Sequence, residues 1–249
     1  MSGFQGKVAV ITGGSTGIGL ATGRYLAAKG AHVILVARSE GDLIRAQQSI
    51  QGQVSIVPGD VSQPGSIRTL FQKISRITPT IDHLFVNAGI ASFAPISDTS
   101  EELFDSLIDV NLKGAFFSIK EALPIFANGG SIVLNTSVMN VKGFPGSSVY
   151  ASTKAALRSL ARSLSADLHE RGIRVNAVAP GPIETPIYEK LGMPQDHLDA
   201  FSQQVQQMVP LKRFGTPEEV APAVAFLLSE ESSYLVGVEI AVDGGISQL

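Results

Sequence analysis

Seven short apolar runs rich in β-branched residues alternate with longer helical patterns along the whole chain, and this alternation narrows the choice of fold more than any single residue does. The runs are "KVAVIT" (7 to 12), "HVILVA" (32 to 37), "VSIVP" (54 to 58), "HLFVN" (83 to 87), "SIVLNT" (131 to 136), "IRVNAV" (173 to 178) and "GVEIAV" (237 to 242). Their nearly continuous apolar character predicts strands buried on both faces, as in a parallel sheet covered by helices. Helices are expected at about 17 to 29, 39 to 50, 64 to 77, 101 to 127, 149 to 170 and 217 to 229. Strict alternation of the two predicts a doubly wound α/β fold of about seven parallel strands with helices on both faces. With 249 residues and 44% hydrophobic content, one domain spanning 1 to 249 is the expectation. The one interruption, about 182 to 216, lies beyond the carboxyl end of the sixth strand, where such folds bind ligands, and reads as a substrate-binding insertion.

Charge and composition exclude several classes of partner. The net charge of −3 comes without a basic run, so neither nucleic acid nor an anionic membrane surface is an expected partner. The absence of cysteine removes disulfides, thiolate metal sites and cysteine nucleophiles. The four histidines, His32, His83, His169 and His197, lack ligand spacing, so surface or capping roles are expected and no metal. The N-terminal "MSGFQGKVAV" does not read as a secretory signal and no apolar run is long enough to span a bilayer, which makes the cytoplasm the expected compartment.

The first strand runs into "TGGSTGIG" (12 to 19). Gly13, Gly14, Gly17 and Gly19 permit a tight turn and let backbone N–H groups approach an anion at a helix start, where the helix dipole favours negative charge. The second strand ends at Ala37 and Arg38, whereas Glu40 and Asp42 come only after the next helix begins. An arginine at this place suits a ribose 2′-phosphate, so NADP(H) is expected over NAD(H), with NAD(H) still possible.

Two tyrosine–lysine pairs share the spacing of one helical turn, "YLAAK" (25 to 29) and "YASTK" (150 to 154). Tyr25 and Lys29 lie roughly 12 and 18 Å along the first helix from its ligand-facing end, and Lys29 before Gly30 suits a helix C-terminus. Tyr150 stands near the start of its helix, after the loop that leaves the fifth strand. Position therefore selects the second pair, with Ser137 at the end of the fifth strand and Asn111 in the long helix as its company.

In this order and spacing, "TGGSTGIG", Asp60-Val61, Asn87-Ala88-Gly89, Asn111 in "VNLKG", Ser137, "YASTK", "PGPIET" (180 to 185) and the closing "VDGG" resemble a classical short-chain dehydrogenase/reductase, from about residue 6 to the C-terminus. The resemblance implies a Rossmann-type domain and a catalytic tetrad. Tyr150 would be the general acid or base, and Lys154 would lower the phenol pKa and hold the nicotinamide ribose. Ser137 would donate to the substrate oxygen, and Asn111 would anchor a water in a proton path through Lys154. It also implies cofactor contacts from Gly13, Ser15, Thr16, Gly17, Ile18 and Gly19 in the turn. Asp60 and Val61 would meet the adenine, Asn87, Ala88 and Gly89 would line the cofactor, and Pro180, Gly181, Ile183 and Thr185 would lie at the nicotinamide. The family often has a second asparagine where this chain has Val86.

An apolar pocket of Met139, Phe144, Pro145, Tyr188, Leu191 and Met193 suits a hydrophobic ketone or alcohol. The implied activity is NADP(H)-dependent interconversion of a carbonyl and an alcohol. One alternative is reduction of 3-oxoacyl chains on acyl carrier protein, to which Arg171, Arg174, Lys212 and Arg213 could contribute a docking surface. The non-enzymatic alternative is an NADP sensor on the same fold. A homotetramer paired along the helices around 101 to 127 and 149 to 170 is the family expectation. The physiological substrate is left open by the sequence.

Overall fold

The computed structural model describes residues 3–187 and 195–249, without the side chains of 195–199 and 201. Seven parallel strands form one sheet in the order β3-β2-β1-β4-β5-β6-β7. They are β1 (Val8–Thr12), β2 (His32–Ala37), β3 (Val54–Pro58), β4 (Ile81–Val86), β5 (Phe126–Asn135), β6 (Arg174–Pro180) and β7 (Glu239–Val242). The helices are α1 (Gly17–Ala28), α2 (Glu40–Gln48), α3 (Pro64–Ile77), α4 (Glu101–Leu107), α5 (Gly114–Ala122), α6 (Ser148–Leu168), α7 (Gln195–Met208) and α8 (Pro217–Leu228). The chain order reverses between β1 and β4, and this switch point opens a crevice at the carboxyl ends of the strands.

The apolar runs are explained by burial on both sheet faces. Val10, Ile34, Leu84, Ile132 and Val175 point into a core beneath α3, α5 and α6. Their neighbours Ile11, Val33, Leu35, Phe85 and Val133 point into a second core beneath α1, α2 and α8. The period of two along each strand thus feeds two apolar layers rather than one. Among the described residues no helix is long and apolar enough to cross a membrane.

Three expectations are corrected. The helix expected over 101 to 127 is α4 and α5 joined by a π-helical turn at Ile108–Lys113. It ends at Ala122 because Pro124 lies in the next turn, passing through a 3-10 turn at Leu123–Ile125. The strand expected at 131 to 136 begins at Phe126, with a register irregularity against β4 between Ile81 and His83. His83 is neither a surface nor a capping residue: it is buried in β4 against the Phe4 ring, and burial pushes its imidazole down to about 4.

The insertion at about 182 to 216 contains α7, and Val209 just beyond α7 is buried with Val138 and Ile246. Tyr188, Leu191 and Met193 lie outside the described residues.

Candidate functional site

The glycine turn after β1 is held from below. The Asn87 side chain donates through Nδ2 to the carbonyls of Thr12 (3.0 Å) and Gly13 (3.1 Å) and accepts at Oδ1 from Asn135 Nδ2 (2.9 Å). Thr12 Oγ1 accepts from the N–H groups of Asn87 and Ala88 at 3.0 and 3.1 Å. The turn is therefore fixed before any ligand arrives, and the half-buried Asn87 supplies the bonds that fix it. Val86 adds its side chain to the apolar core.

Gly13 and Gly17 have φ values of +65° and +53°, in the left-handed region that glycine adopts freely. A Cβ at Gly19 would sit 2.3 Å from the Gly13 carbonyl oxygen, and one at Gly17 would sit 3.1 Å from the Thr185 methyl group. Thr185 and the turn thus face each other across a narrow gap. Helix α1 begins at Gly17 with no side-chain cap from Thr16 and no acid in its first turn, whereas α2 and α4 are capped by Ser39 and Ser100, and at the start of α8 the Glu219 carboxylate accepts from the Thr216 N–H. A backbone anion site needs such an open N-terminus. Ser15, Thr16 and Ile18 lie half-buried or exposed along this turn.

Arg38 is exposed just beyond β2 and forms no ion pair or side-chain hydrogen bond among the described residues. Of the nearby acids, Asp42 pairs with Arg45, and both Glu40 and Asp42 occupy the first turn of α2. Asp60 accepts from the Ser62 N–H at 2.9 Å, and Val61 is buried in the core, so only its backbone is free to meet a ligand. On the far side, Ile183 is bridged to Gly215, and a Cβ at Gly181 would sit 2.7 Å from Asp243 Cα, which pins the turn after Pro180 against β7.

Asn111, Ser137, Tyr150 and Lys154 converge at the carboxyl ends of β4 and β5. Ser137 precedes a 3-10 turn, Val138–Asn140, and its Oγ accepts from the Met139 N–H at 3.2 Å. The Ser137 hydroxyl stands close enough to the Tyr150 hydroxyl to favour its phenolate form. Lys154, one turn further along α6, places Nζ 5.6 Å from the Tyr150 ring centroid and donates to the Asn135 carbonyl at 2.8 Å. Burial of the hydroxyl end pushes the Tyr150 phenol up to about 12, which the neighbouring Ser137 hydroxyl partly opposes; burial pushes Lys154 down to about 8.

Asn111 sits in the π-helical turn. Its Oδ1 accepts from the Ile90 N–H (2.8 Å), and Nδ2 donates to the Ile90 carbonyl (3.0 Å) and Thr153 Oγ1 (3.2 Å). Both amide protons are therefore used in tying the loop after β4 to α6. A Cβ at Gly89 would approach Asn111 Oδ1 to 3.3 Å and Lys154 Nζ to 3.5 Å, so Gly89 leaves the room in which these groups meet.

Met139, Phe144 and Pro145 lie in the segment between β5 and α6, with Phe144 packed on the cluster of Val138, Val209 and Ile246. Sequence reasoning missed Phe93, whose ring meets Tyr150 edge-on with centroids 5.8 Å apart. It stands in an irregular loop with no periodicity, so nothing local marks it. Among the described residues no cluster of three or more His, Asp or Glu could hold a metal ion.

A family model described as Enoyl-(Acyl carrier protein) reductase matches residues 13–247. The chain is 39% identical over 248 residues to a 3-oxoacyl-(acyl-carrier-protein) reductase of Thermotoga maritima, which covers 98% of both proteins. It is 37% identical over 247 residues to the cis-4-hydroxycyclohexanecarboxylate dehydrogenase of Sinomonas cyclohexanicum, covering 97% of each. Among solved structures, levodione reductase superposes with a TM-score of 0.92 at 31% identity over 98% of each chain.

Proposed function

The chain belongs to the classical short-chain dehydrogenase/reductase family, which binds NAD(P)(H) and acts on small molecules, and from this premise we propose that it is an NADP(H)-dependent oxidoreductase interconverting a ketone or aldehyde with its alcohol. The observation that carries the reading is the convergence of Ser137 and Tyr150 with a buried Lys154 one turn away, its Nζ 5.6 Å from the Tyr150 ring centroid, beside the glycine turn.

The residues present fit a dinucleotide. The uncapped start of α1 and the N–H groups of Gly17, Ile18 and Gly19 suit its pyrophosphate. Arg38, exposed and without a carboxylate partner among the described residues, suits a 2′-phosphate and favours NADP(H) over NAD(H). Asp60 and the Val61 backbone, Ala88 and Gly89, and the turn Pro180, Gly181, Ile183 and Thr185 are proposed as the remaining walls of that site. When bound, the reduced cofactor supplies the hydride.

The remaining chemistry belongs to the chain. Ser137 Oγ and the Tyr150 hydroxyl converge, so a carbonyl oxygen placed between them receives two hydrogen bonds that strengthen as negative charge builds on it. Tyr150 then gives up its proton to that oxygen, acting as general acid. At neutral pH a phenol held up at about 12 is in its acid form, as reduction requires. The phenolate left behind is stabilised by the Lys154 ammonium, which is mostly protonated at pH 7 when its pKa is about 8. Asn111 braces this arrangement by holding the Gly89–Ile90 loop and Thr153. Met139, Phe144 and Pro145, with Phe93, are the proposed apolar walls for the substrate. We place the enzyme in the cytoplasm as a homotetramer, and the exposed Phe104 on α4 and Phe116 on α5 support pairing through those helices.

The name borne by the Thermotoga relative favours a second reading, reduction of a 3-oxoacyl thioester on acyl carrier protein. The cations expected to dock such a carrier are engaged elsewhere. Arg171 donates to Leu123, Phe126 and Asn128, and Arg174 to the carbonyls that end α8. Arg213 pairs with Glu219, and Lys212 donates to the Gln207 carbonyl. A small free carbonyl compound therefore ranks first.

The test is loss of reduced-nicotinamide absorbance with NADPH and NADH in parallel against ketones, aldehydes, a 3-oxoacyl thioester and an enoyl thioester. Faster turnover of a ketone with NADPH is expected. NADPH binding without turnover of any compound would overturn the enzymatic reading in favour of an NADP sensor.

A further inference from the structure

Glu239 opens β7 and is the one acid in a strand, "EIAV", that otherwise carries apolar residues. Its side chain is only 14% exposed. Oε1 accepts from Thr136 Oγ1 at 2.5 Å and from Asn140 Nδ2 at 2.8 Å. The other side of the carboxylate meets Arg158, with Nε 3.6 Å from Oε2, and Arg158 also donates to the Gly237 carbonyl at 2.9 Å.

The three partners have one thing in common. Thr136 immediately precedes Ser137, and the Asn140 N–H donates to the Ser137 carbonyl at 3.0 Å. Arg158 follows Lys154 by one turn of α6 and Tyr150 by two. A single carboxylate therefore grips the turn that carries Ser137 on both sides and reaches the helix that carries Tyr150 and Lys154. An ion pair serving only to hold an edge strand would account for Arg158, but not for the two bonds to the Ser137 turn.

We propose that Glu239 is a positioning residue that fixes the Ser137 hydroxyl relative to Tyr150, by bracing the Ser137 turn against α6. The kinetic part of this proposal rests on the carbonyl-reductase reading; the geometric part does not. A hydroxyl displaced by about 1 Å from a reacting oxygen can lower turnover by up to about 100-fold, so a brace of this kind is felt in kcat rather than in cofactor binding.

The test compares Glu239→Ala with Glu239→Gln, through crystal structures and NADPH-dependent turnover. Glu239→Ala should lengthen the Ser137–Tyr150 contact and lower kcat roughly 10- to 100-fold, with the NADPH Kd within about three-fold of the parent. Glu239→Gln keeps an amide oxygen for Thr136 and Asn140, and should recover most of kcat although it loses the charge facing Arg158. Should Glu239→Ala fail to fold, Asn140→Ala cuts one arm of the brace while sparing the ion pair and should lower kcat by an intermediate amount. An undisturbed Ser137–Tyr150 contact in Glu239→Ala overturns the proposal, as does unchanged turnover in Asn140→Ala. Equal losses in the Ala and Gln variants with a weakened NADPH Kd also overturn it, since they mark general damage. If the parent turns over no carbonyl yet Ser137 moves in Glu239→Ala, the brace stands and the assigned reaction falls.

Discussion

Lys154 is 4% exposed, and its ammonium is held in a place where burial lowers its pKa from the usual 10.5 to about 8. A lysine that is easier to deprotonate folded than unfolded destabilises the fold at low pH. The penalty is absent above the unfolded value and fully developed below the folded one. Between 10.5 and about 8 it amounts to about 3 kcal/mol at pH 7, shrinking to about 1 kcal/mol at pH 9.5. Lys154→Met removes the charge and keeps much of the apolar stem. It also leaves the Asn135 carbonyl without its donor, which costs roughly 1 to 3 kcal/mol at every pH. The absolute stability of the variant at pH 7 is thus a near balance, but its pH dependence is not. Urea denaturation of both proteins at pH 7 and pH 9.5 should show the parent gaining about 2 kcal/mol on Lys154→Met over that interval. Groups common to both chains cancel in the difference. Parallel stabilities at the two pH values would mean that the ammonium is not desolvated, and would remove the electrostatic part of the Tyr150 argument. The variant should lose turnover at both pH values, because a buried charge retained at a cost in stability is what a functional site requires.

The remaining predictions concern the same crevice. Tyr150→Phe should lower NADPH-dependent turnover at least 100-fold with the NADPH Kd within about three-fold, whereas Tyr25→Phe should leave turnover unchanged; steady-state kinetics with fluorescence titration of NADPH checks both. Arg38→Asp should weaken NADPH roughly 10- to 100-fold and NADH by less than about three-fold, measured by calorimetric titration, since only the former carries the 2′-phosphate. Gly19→Ala drives a Cβ to 2.3 Å from the Gly13 carbonyl and should lower Tm by roughly 4 to 10 °C in differential scanning calorimetry. Gly65→Ala, where a Cβ would meet nothing within 4 Å, should leave Tm nearly unchanged in the same experiment.

The strands were legible in the sequence because burial on both faces makes them continuous apolar runs, which no surface element imitates. Helix ends governed by glycine or proline were legible too, as at α1, α3 and α8. What escaped depended on partners distant in the chain. The π-helical turn around Asn111 is paired with Ile90 and Thr153, 21 and 42 residues away, and helical periodicity carries no trace of it. The inward use of the Asn87 amide depends on Asn135. Glu239 reads as a polar interruption of a strand until Thr136, Asn140 and Arg158 are seen around it. Residues whose role is to hold other residues leave a weaker mark on the sequence than residues whose role is to be buried.

The two tyrosine–lysine pairs show where local pattern ends and address begins. In both, the lysine Nζ lies 5.6 Å from the tyrosine ring centroid, so spacing on a helix fixes the contact and cannot distinguish them. The surroundings distinguish them. Lys29 is the C-terminal capping residue of α1, and Tyr25 packs against the apolar core between α1 and the sheet. Tyr150 instead stands beside Ser137, and Lys154 is buried at the end of β5 beside Gly89. Of the two lysines only Lys154 is buried, and desolvation is what turns a cation near a phenol into a strong electrostatic interaction rather than a screened one. The sheet's switch point, the turn ending at Ser137 and the room left by Gly89 supply what the four-residue spacing lacks.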